Sequence, residues 1–460
     1  MLSDTIAAIS TPLGEGGIGI VRISGEQALE VVSRVFKPKY KKDLNRAAGF
    51  TMHLGYIYDK NNKVIDEVLV SIMRGPKSFT GENVVEINCH GGLIPLKLTL
   101  EAVLQAGARL AEPGEFSKRA FINGRIDLPQ AEAIIDIIRA KNETGLSSAL
   151  NQLGGKLSEE IRKIRHDLLG LLAAIEAAID FPEEDLDDIT HQEVIEKVKT
   201  ISQILEKLIN SFDQGKFIRE GINTAIIGRT NVGKSSLLNA LLGENRSIVT
   251  DIPGTTRDTI EEYVNMGGFY LKIIDTAGIR DTSDLVEKMG VERTKEIIRK
   301  ADLVLFVLDI SVGMTEEDQE ILSYLKGKRT IVLVNKIDLN AHPKRKAEIE
   351  KWIHGFPLAY ISAKNEIGID ELEELIVSTI MKGKVLPKGD LFITNIRHKE
   401  SLTKAFHNLT EVLQGAKEKM TLDFLSIDLR GAWEALGEIT GDTADEDLLD
   451  RIFADFCIGK

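Results

Sequence analysis

The residues with the clearest chemistry lie at positions 228–235, where the sequence GRTNVGKS fits the template G-x-x-x-x-G-K-[ST]. Glycines let consecutive backbone N–H groups turn towards phosphate oxygens, and a helix that follows adds the positive end of its dipole. In this template Lys234 reaches the β- and γ-phosphates, and the hydroxyl of Ser235 binds Mg²⁺. Residues 224–227 have the pattern of a buried strand and residues 236–242 that of a helix. The segment therefore predicts a phosphate-binding loop between a strand and a helix.

Residues that could hold Mg²⁺ and the γ-phosphate follow this loop in the order that a GTPase requires. Asp275 comes directly after the apolar run 271–274 and begins the sequence DTAG. It can approach Mg²⁺ through water, while the backbone of Gly278 meets the γ-phosphate. Thr255 and Thr256 lie between these motifs, where a switch loop is expected, and either hydroxyl could reach the metal.

Two later motifs, each of which follows another apolar run, specify the base. The first, NKID, spans residues 335–338, and the second, SAK, spans residues 362–364. Asp338 can accept hydrogen bonds from both N1–H and the 2-amino group of guanine, a pair of donors that adenine lacks. Because this carboxylate would be left unpaired against ATP, the sequence predicts GTP as the nucleotide.

One position departs from the pattern of signalling GTPases. The residue after DTAG is Ile279, where many of those proteins carry a glutamine that orients the attacking water. An aliphatic side chain cannot polarise water, so another polar group within residues 280–287 must do so. That segment contains several acidic residues, and residue types alone do not choose among them.

The bulk composition limits the classes of protein to which the chain can belong. A length of 460 residues, of which 43% are hydrophobic, is typical of a globular protein with about three domains. A net charge of −13 argues against a protein that coats nucleic acid by bulk electrostatics, so any RNA contact should be local or shared with a partner. Cys89 and Cys457 are the only cysteines, which favours a reducing compartment. With no signal-like N-terminus and no apolar run long enough for a bilayer, we expect a cytoplasmic protein that does not enter a membrane.

Changes in hydrophobic spacing divide the chain into four segments. Residues 1–118 mix short β-rich runs with glycine-dense turns and one helix, which predicts an α+β domain. Residues 119–220 and 382–460 show helical spacing, whereas residues 221–381 alternate strands and helices, which predicts a G domain with a mostly parallel sheet. A nucleotide domain between two helical stretches favours one discontinuous helical domain into which the G domain is inserted. Two separate helical domains are the alternative.

Short motifs outside the G domain carry a resemblance to a known family. They are FTGE at residues 79–82, PGEF at residues 113–116 and CIGK at residues 457–460, and the phosphate loop continues as NVGKSS at residues 231–236. Together with the order of the segments, they closely resemble the MnmE (TrmE) family of tRNA-modification GTPases over the full chain. The resemblance implies an N-terminal tetrahydrofolate-binding domain that also forms the homodimer, a discontinuous helical domain and an inserted G domain.

The resemblance also implies K⁺-stimulated GTP hydrolysis and assigns residues to it. In that family K⁺ occupies the position of an arginine finger and offsets charge that develops between the phosphates. Its ligands here would be Asn231, Thr250, Ile252 and Thr255, and Mg²⁺ would be held by Ser235 and Thr256. Lys234 would be catalytic, and Glu287 would orient the water. The GTP-binding residues transferred in the same way are Asn231, Val232, Gly233, Lys234, Ser235, Ser236, Thr250, Asp251, Ile252, Pro253, Gly254, Thr255, Thr256, Asp275, Thr276, Ala277, Gly278, Asn335, Lys336, Asp338, Ser362, Ala363 and Lys364.

The folate site that the resemblance implies would be built from Arg22, Glu82, Arg125 and Lys460. Some members of the family carry lysine at the position of Arg125, which keeps the charge but changes the shape. Residue types alone leave an alternative, because Arg22 and Glu82 are as readily partners in surface ion pairs as ligands of a carboxylate and a pterin edge. Cys457 is either a small buried hydrophobic residue at the end of a helix or a catalytic or cofactor-side thiol.

The function that the resemblance implies is the modification of tRNA. In a heterotetramer with an FAD-containing MnmG (GidA) partner, the protein would add a carboxymethylaminomethyl or aminomethyl group at C5 of the wobble uridine. The one-carbon unit would come from a tetrahydrofolate derivative in the 5-formyl or 5,10-methylene form. The GTP cycle would open and close the dimer through its G domains.

A GTP-dependent switch that binds ribosomal RNA during ribosome assembly is the competing function. Such proteins usually add a basic RNA-binding module, whereas residues 442–450 of this chain are acidic. Two basic runs, at residues 37–42 and 342–346, are typical of solvated loops, although either could touch RNA.

Overall fold

The computed structural model describes residues 4–40, 43–180, 191–243, 262–266, 269–274, 287–339, 343–381 and 391–460. The described residues within 1–138, 152–202 and 404–460 form one compact unit, and those within 139–151 and 203–403 form a second. The strands are β1 Ile6–Ile9, β2 Gly16–Ser24, β3 Phe36–Pro38, β4 Thr51–Tyr58, β5 Val64–Met73, β6 Val84–Gly91, β7 Arg109–Leu110, β8 Ile222–Ile227, β9 Glu262–Met266, β10 Phe269–Ile273, β11 Leu303–Asp309, β12 Thr330–Asn335 and β13 Leu358–Tyr360.

The helices complete the list of elements, and no helix in the described ranges is long and apolar enough to cross a membrane. They are α1 Ala28–Val35, α2 Leu93–Gln105, α3 Glu115–Ile122, α4 Leu128–Arg139, α5 Glu143–Leu153, α6 Lys156–Asp180, α7 His191–Asn210, α8 Phe212–Glu220, α9 Lys234–Leu242, α10 Glu287–Lys300, α11 Glu316–Tyr324, α12 Pro343–Trp352, α13 Ile369–Met381, α14 Ile396–Lys417, α15 Leu422–Thr440 and α16 Glu446–Ala454.

The first unit contains a seven-stranded sheet in the order β3-β4-β5-β6-β2-β1-β7. Neighbouring strands are antiparallel except β1 and β7, which pair in parallel. Side chains of α1 and α2 pack with one face of this sheet in a single apolar core. Because successive side chains of a strand point to opposite faces, Val21 and Ile23 enter that core, whereas Arg22 and Ser24 lie on the other face. The predicted α+β domain is confirmed.

The two helical stretches of the chain pack together within the first unit. Helix α6 packs against α15, and each buries an apolar stripe at helical spacing. Polar contacts add to this packing, because Arg430 donates to Glu176 at 2.6 Å and the Arg165 guanidinium lies 4.2 Å from the centre of the Trp433 ring. The expectation of one discontinuous helical domain is therefore confirmed, and the alternative of two separate domains is not.

The second unit contains a six-stranded sheet in the order β13-β12-β11-β8-β10-β9. Every pair is parallel except β9 with β10, so the predicted mostly parallel sheet is confirmed. Every residue of β11 and β12 is buried, as parallel strands covered on both faces require. Alternate residues enter two separate cores: Leu305 and Val307 belong to one, and Phe306 belongs to the other.

A fully buried arginine joins distant segments of the first unit. Arg119, on α3, is 1% exposed and donates to the carboxylates of Asp4 at 2.7 Å, Glu115 at 2.9 Å and Glu82 at 3.2 Å. Burial opposes the charge of Glu115, yet hydrogen bonds from Arg109 and Arg119 outweigh it and hold the pKa of this carboxyl below its ordinary value. The guanidinium therefore links the N-terminal residues, the helix and the loop that ends at Glu82.

We expect the substitution Arg119→Gln to destabilise the first unit by about 3–5 kcal/mol, because it removes the buried cation that Glu82 and Glu115 share and leaves Arg109 to pair only with Asp4 and Glu115. The matched control is Lys404→Gln, which breaks the exposed pair with Glu438 (3.0 Å) and should cost less than about 1 kcal/mol. Urea denaturation of the full-length protein at pH 7, followed by circular dichroism, measures both changes. Equal effects of the two substitutions would contradict this account of Arg119.

Candidate functional site

The predicted nucleotide residues that the structure describes lie at one edge of the parallel sheet. Strands β8, β11 and β12 run in the same direction, so the segments that follow their carboxyl ends lie side by side. The segment 228–233 follows β8, Asp309 ends β11 and Asn335 ends β12. This edge is where ligands bind in open α/β sheets.

The phosphate loop has a backbone that requires glycine at two positions. Gly228 has a φ of +146°, and a Cβ there would lie 2.4 Å from the carbonyl oxygen of Val307. Gly233 has a φ of +100°, and a Cβ there would lie 2.3 Å from Nδ2 of Asn335. Asn231 also has a positive φ, of 62°, which asparagine tolerates better than most residues. The two glycines of the template are therefore needed because the backbone has positive φ angles there and because neighbouring atoms leave no room for a Cβ.

Lys234 closes the loop on itself. Its Nζ donates to the carbonyl oxygens of Gly228 and Arg229, both at 2.7 Å. Burial lowers the pKa of this ammonium group. A phosphate that binds here would restore to the cation the stabilisation that burial removes. This is the position in which the template needs a cation.

The predicted guanine motif supports the phosphate loop from β12. Nδ2 of Asn335 donates to the carbonyl of Val232 at 2.8 Å, and its Oδ1 accepts from the N–H of Ala363 at 2.9 Å. Nζ of Lys336 donates to the carbonyl of Asn231 at 2.7 Å. Segments predicted to bind opposite ends of a nucleotide are thus joined by direct hydrogen bonds.

Asp309 is a residue at the ligand edge that the sequence analysis did not select. It is 5% exposed and accepts from Lys336 at 2.7 Å and from the hydroxyl of Ser311 at 2.6 Å. Burial raises the pKa of this carboxyl, but the bonds from Lys336 and Ser311 outweigh that effect and lower it overall. An acidic residue directly after the apolar run 303–308 was the available signal, because that position lies at the ligand edge.

Asp338 is oriented by the last of the GTPase motifs. Its Oδ1 accepts a hydrogen bond of 2.6 Å from the hydroxyl of Ser362, which is fully buried. One carboxylate oxygen is thereby fixed, and Lys364 two residues later is exposed. This arrangement is suited to a bidentate acceptor for guanine.

The remaining predicted GTP and metal residues fall into two groups. Asn231, Ser235 and Ser236 are described and exposed at the phosphate loop and the start of α9. The others lie outside the described residues, as does Ile279. They are Thr250, Asp251, Ile252, Pro253, Gly254, Thr255, Thr256, Asp275, Thr276, Ala277 and Gly278. Glu287 is the first residue of α10, and its side chain is not among those described.

A second constellation lies in the first unit, around Arg22. Its guanidinium pairs with Glu86 at 2.8 Å and donates to the carbonyl of Gly459 at 3.1 Å. The rings of Phe79 and Phe116 lie 5.5 and 5.8 Å from it. Arg22 therefore has an ion-pair partner, which the sequence analysis gave as the alternative to a ligand-binding role. It also contacts the segment 457–460.

The segment 457–460 is held closely against the sheet. The carbonyl of Gly459 also accepts from the hydroxyl of Ser10 at 3.0 Å, and a Cβ on Gly459 would lie 2.3 Å from the carbonyl oxygen of Ile9. Burial, and next the nearby Arg22 guanidinium, lower the pKa of Lys460. The structure thus brings Arg22 and Lys460 together, and Cys457 in the same turn is exposed, unlike a small buried hydrophobic residue.

Glu82 and Arg125 are tied to one loop beside this constellation. Glu82 accepts from Ser24 at 2.7 Å, and Ser24 lies two residues from Arg22 on the same face of β2. Arg125 donates to the carbonyl of Ser78 at 2.8 Å. Arg119, which the sequence analysis did not select, forms an ion pair with Glu82. Its long-range contacts leave no local pattern by which it could have been found.

Comparison with known proteins identifies the family. The family model described as "GTP-binding protein TrmE N-terminus" matches residues 5–125, and the model described as "MnmE helical domain" matches residues 128–457. Two curated proteins named "tRNA modification GTPase MnmE" match over 100% of both chains. The protein of Desulforamulus reducens is 52% identical over 461 residues, and that of Clostridioides difficile is 52% identical over 459 residues.

Among solved structures, the G domain of the T. maritima FeoB iron transporter shares 28% identity with this chain. The match covers 34% of this chain and 98% of that one, with a TM-score of 0.25, which is too low to support an argument. The extent of the helical-domain match and the identity to curated relatives over the whole length show that the chain belongs to the MnmE family of tRNA modification GTPases.

Proposed function

We propose that the protein is a K⁺-stimulated GTP hydrolase that acts with an FAD-containing MnmG (GidA) partner on tRNA in the cytoplasm. Together they add a carboxymethylaminomethyl or aminomethyl group at C5 of the wobble uridine, with a one-carbon unit from tetrahydrofolate. The proposal assigns folate binding and dimerisation to residues 1–118, GTP hydrolysis to residues 221–381, and a shared helical domain to residues 119–220 and 382–460. Family membership supports the coarse function, and the MnmG partner rests on the resemblance alone.

The observation that carries the GTPase part is the way in which Asn335 and Asp338 are held. Asn335 bonds to the phosphate loop and to Ala363, while Ser362 fixes one oxygen of Asp338. A carboxylate fixed in this way can accept from guanine N1–H and from the 2-amino group at once. Adenine offers neither of these donors, so bound ATP would displace water from the exposed Asp338 carboxylate without pairing it, which is costly.

We expect Asp338→Asn to weaken GTP affinity about 100-fold or more, because an amide cannot accept both guanine donors. The same amide matches xanthine, so XTP affinity should rise. Titration of the full-length protein with fluorescent GTP and XTP analogues measures both. The control Ser362→Ala removes only the orienting hydroxyl and should weaken GTP about tenfold at most, with no gain for XTP. Unchanged preference for GTP in Asp338→Asn would contradict the assignment.

The hydrolysis machinery extends this site towards the phosphates. Ser235 and Thr256 would hold Mg²⁺, while Asn231, Thr250, Ile252 and Thr255 would hold K⁺. The exposed side chains of Asn231 and Ser235 beside the loop fit oxygen-binding cations. When bound, the two cations offset the charge that develops on the phosphates. Lys234 would bind the β- and γ-phosphates, and Glu287 would orient the attacking water.

GTP turnover should be roughly tenfold or more faster in K⁺ than in Na⁺, because a smaller ion fits the Asn231 oxygen and the switch-loop ligands poorly. Asn231→Ala should abolish this difference while Mg²⁺ dependence remains. Phosphate release by the full-length protein in KCl and NaCl at equal ionic strength measures it. Asn239→Ala, at an exposed asparagine of α9, is the matched control and should keep the preference. Equal wild-type rates in the two salts would refute the cation mechanism.

The constellation around Arg22 fits a folate derivative. Lys460 and Arg22 are two close cations, and burial lowers the pKa of Lys460, so the carboxylates of a folate tail would stabilise both. Glu82 offers carboxylate oxygens to the N–H groups of a pterin, and Arg125 is hydrogen-bonded to the same loop through the carbonyl of Ser78. Folate, when bound, supplies the one-carbon unit, and the exposed Cys457 is the candidate thiol beside it.

The proposed homodimer is supported by an apolar patch on the sheet face opposite α1 and α2. Leu54 lies directly across from Leu69 in the β4–β5 pairing, and Met52 is on the same face two residues from Leu54. Met52 and Leu69 are 60% and 41% exposed. Neighbouring exposed apolar side chains of this kind mark protein interfaces. Arg22 lies on the same face, further along the sheet.

Mass spectrometry of tRNA nucleosides tests the whole proposal. A deletion strain should lose the wobble C5 modification, wild-type protein should restore it, and Arg22→Ala should not, although its GTP turnover in vitro should stay within about twofold of wild type. Lys404→Gln, at an exposed pair, is the control that should restore modification. Normal wobble nucleosides in the deletion strain, with immature ribosomal subunits instead, would favour the assembly switch and overturn the proposal.

A further inference from the structure

One side chain of the phosphate loop points away from the ligand edge into the protein. Nε of Arg229 donates to both carboxylate oxygens of Asp318, at 3.0 and 2.9 Å. Asp318 is fully buried, and the Arg229 side chain is 17% exposed. The template allows any residue at position 229, so this ion pair is not part of the phosphate-binding pattern.

Asp318 also caps the start of α11. Its Oδ2 accepts from the backbone N–H of Thr315 at 3.1 Å and from the Thr315 hydroxyl at 2.7 Å, which completes a capping box. A carboxylate in the first turn is also stabilised by the helix dipole. Asp318 is therefore a fixed anion, and Arg229 is attached through it to the beginning of a helix.

This attachment acts on a part of the loop that the guanine motif does not hold. Asn335 and Lys336 bond to the carbonyls of Val232 and Asn231, in the second half of the loop. The first half is held by the side chain of Arg229, whose own carbonyl accepts the hydrogen bond from Lys234. The position of the phosphate-binding lysine thus depends on where the peptide of residue 229 is placed.

We propose that Arg229 is a positioning residue for GTP binding, which holds the first half of the phosphate loop against α11 through Asp318 without touching the nucleotide. The inference rests on the proposed GTP site and goes beyond it. It differs from a role for Arg229 as a cation for the transferring phosphate. Its Nε is committed to Asp318, and its Nη2 is inaccessible to solvent and has no hydrogen-bond partner among the described residues. A nucleotide that enters the loop from solvent would not reach that group.

The positioning role predicts how nucleotide binding changes when either partner is altered. Arg229→Gln and Asp318→Asn should each weaken both GTP and GDP about tenfold, because the loop N–H groups bind phosphates that the two nucleotides share. The double variant should be no weaker than the worse single variant, since the same contact is lost. At saturating GTP, kcat should stay within about threefold of wild type.

Two further variants separate positioning from loss of stability. Asp318→Asn keeps one acceptor oxygen for the capping box, whereas Thr315→Val removes the capping hydroxyl and leaves both partners of the ion pair in place. Thr315→Val should lower the melting temperature but change GTP and GDP affinity by less than about twofold. Arg229→Lys keeps the positive charge, so this variant should fold and regain part of the affinity.

The experiment is fluorescence titration of the full-length protein with labelled GTP and GDP, together with turnover and melting curves for each variant. Parallel losses for Arg229→Gln and Asp318→Asn, non-additive in the double variant, are the expected result. A fall in kcat alone for Arg229→Gln, not shared by Asp318→Asn, would assign a catalytic role and overturn the inference. Unchanged affinity in both single variants would also overturn it. Failure of the wild-type protein to bind GTP would instead refute the proposed function.

Discussion

The geometry of the GTP site depends on one buried side-chain amide. Asn335 is 2% exposed, donates to the carbonyl of Val232 and accepts from the N–H of Ala363, so a single planar group joins two loops to its own strand. The amide can come this close because residue 233 is a glycine, whose missing Cβ would otherwise lie 2.3 Å from Nδ2. Since water cannot replace buried partners, a shift of this amide would leave backbone groups of both loops unpaired.

The phosphate loop has an unusual backbone that its neighbours hold in place. Positive φ angles occur at Gly228, Asn231 and Gly233, which glycine adopts freely and asparagine tolerates. The contacts that hold the loop are polar and come from two sides, from Asn335 with Lys336 and from Asp318. The loop is therefore held by contacts within the protein, which reduces the ordering cost that a nucleotide must overcome.

The sequence predicted those features that depend on spacing along the chain. The phosphate loop, the guanine motif and the mostly parallel sheet follow from local residue patterns, and the structure has all three. Helix α9 begins at Lys234, whereas the hydrophobic spacing predicted a start at residue 236. The spacing missed the first two residues because Lys234 and Ser235 are polar and add nothing to an apolar stripe. Asp309 lies at the end of a predicted strand and could have been selected.

Other features depend on pairs of residues that only the fold brings together. Arg119 contacts Asp4, Glu82 and Glu115, of which Asp4 and Glu82 are far from it in sequence. The contact between Arg229 and Asp318 joins the phosphate loop to α11. Neither partner of such a pair changes the local pattern of charge or hydrophobicity. The sequence therefore identifies the chemistry of the GTP loop better than the electrostatic contacts that position it.

The contact between Arg22 and Gly459 has a consequence for the order in which the molecule is completed during translation. The two residues are 437 positions apart, and at about 5–20 residues per second a ribosome needs roughly 20–90 s to add the chain between them. Once Phe116 has been added, Arg22 and both of its aromatic neighbours are present, but the carbonyl of Gly459 to which Arg22 donates is not yet synthesised. The segments of the second unit, which end at residue 403, all emerge before residue 459 does. The contact of Arg22 with Gly459 can thus form only after the segments of the second unit have been synthesised.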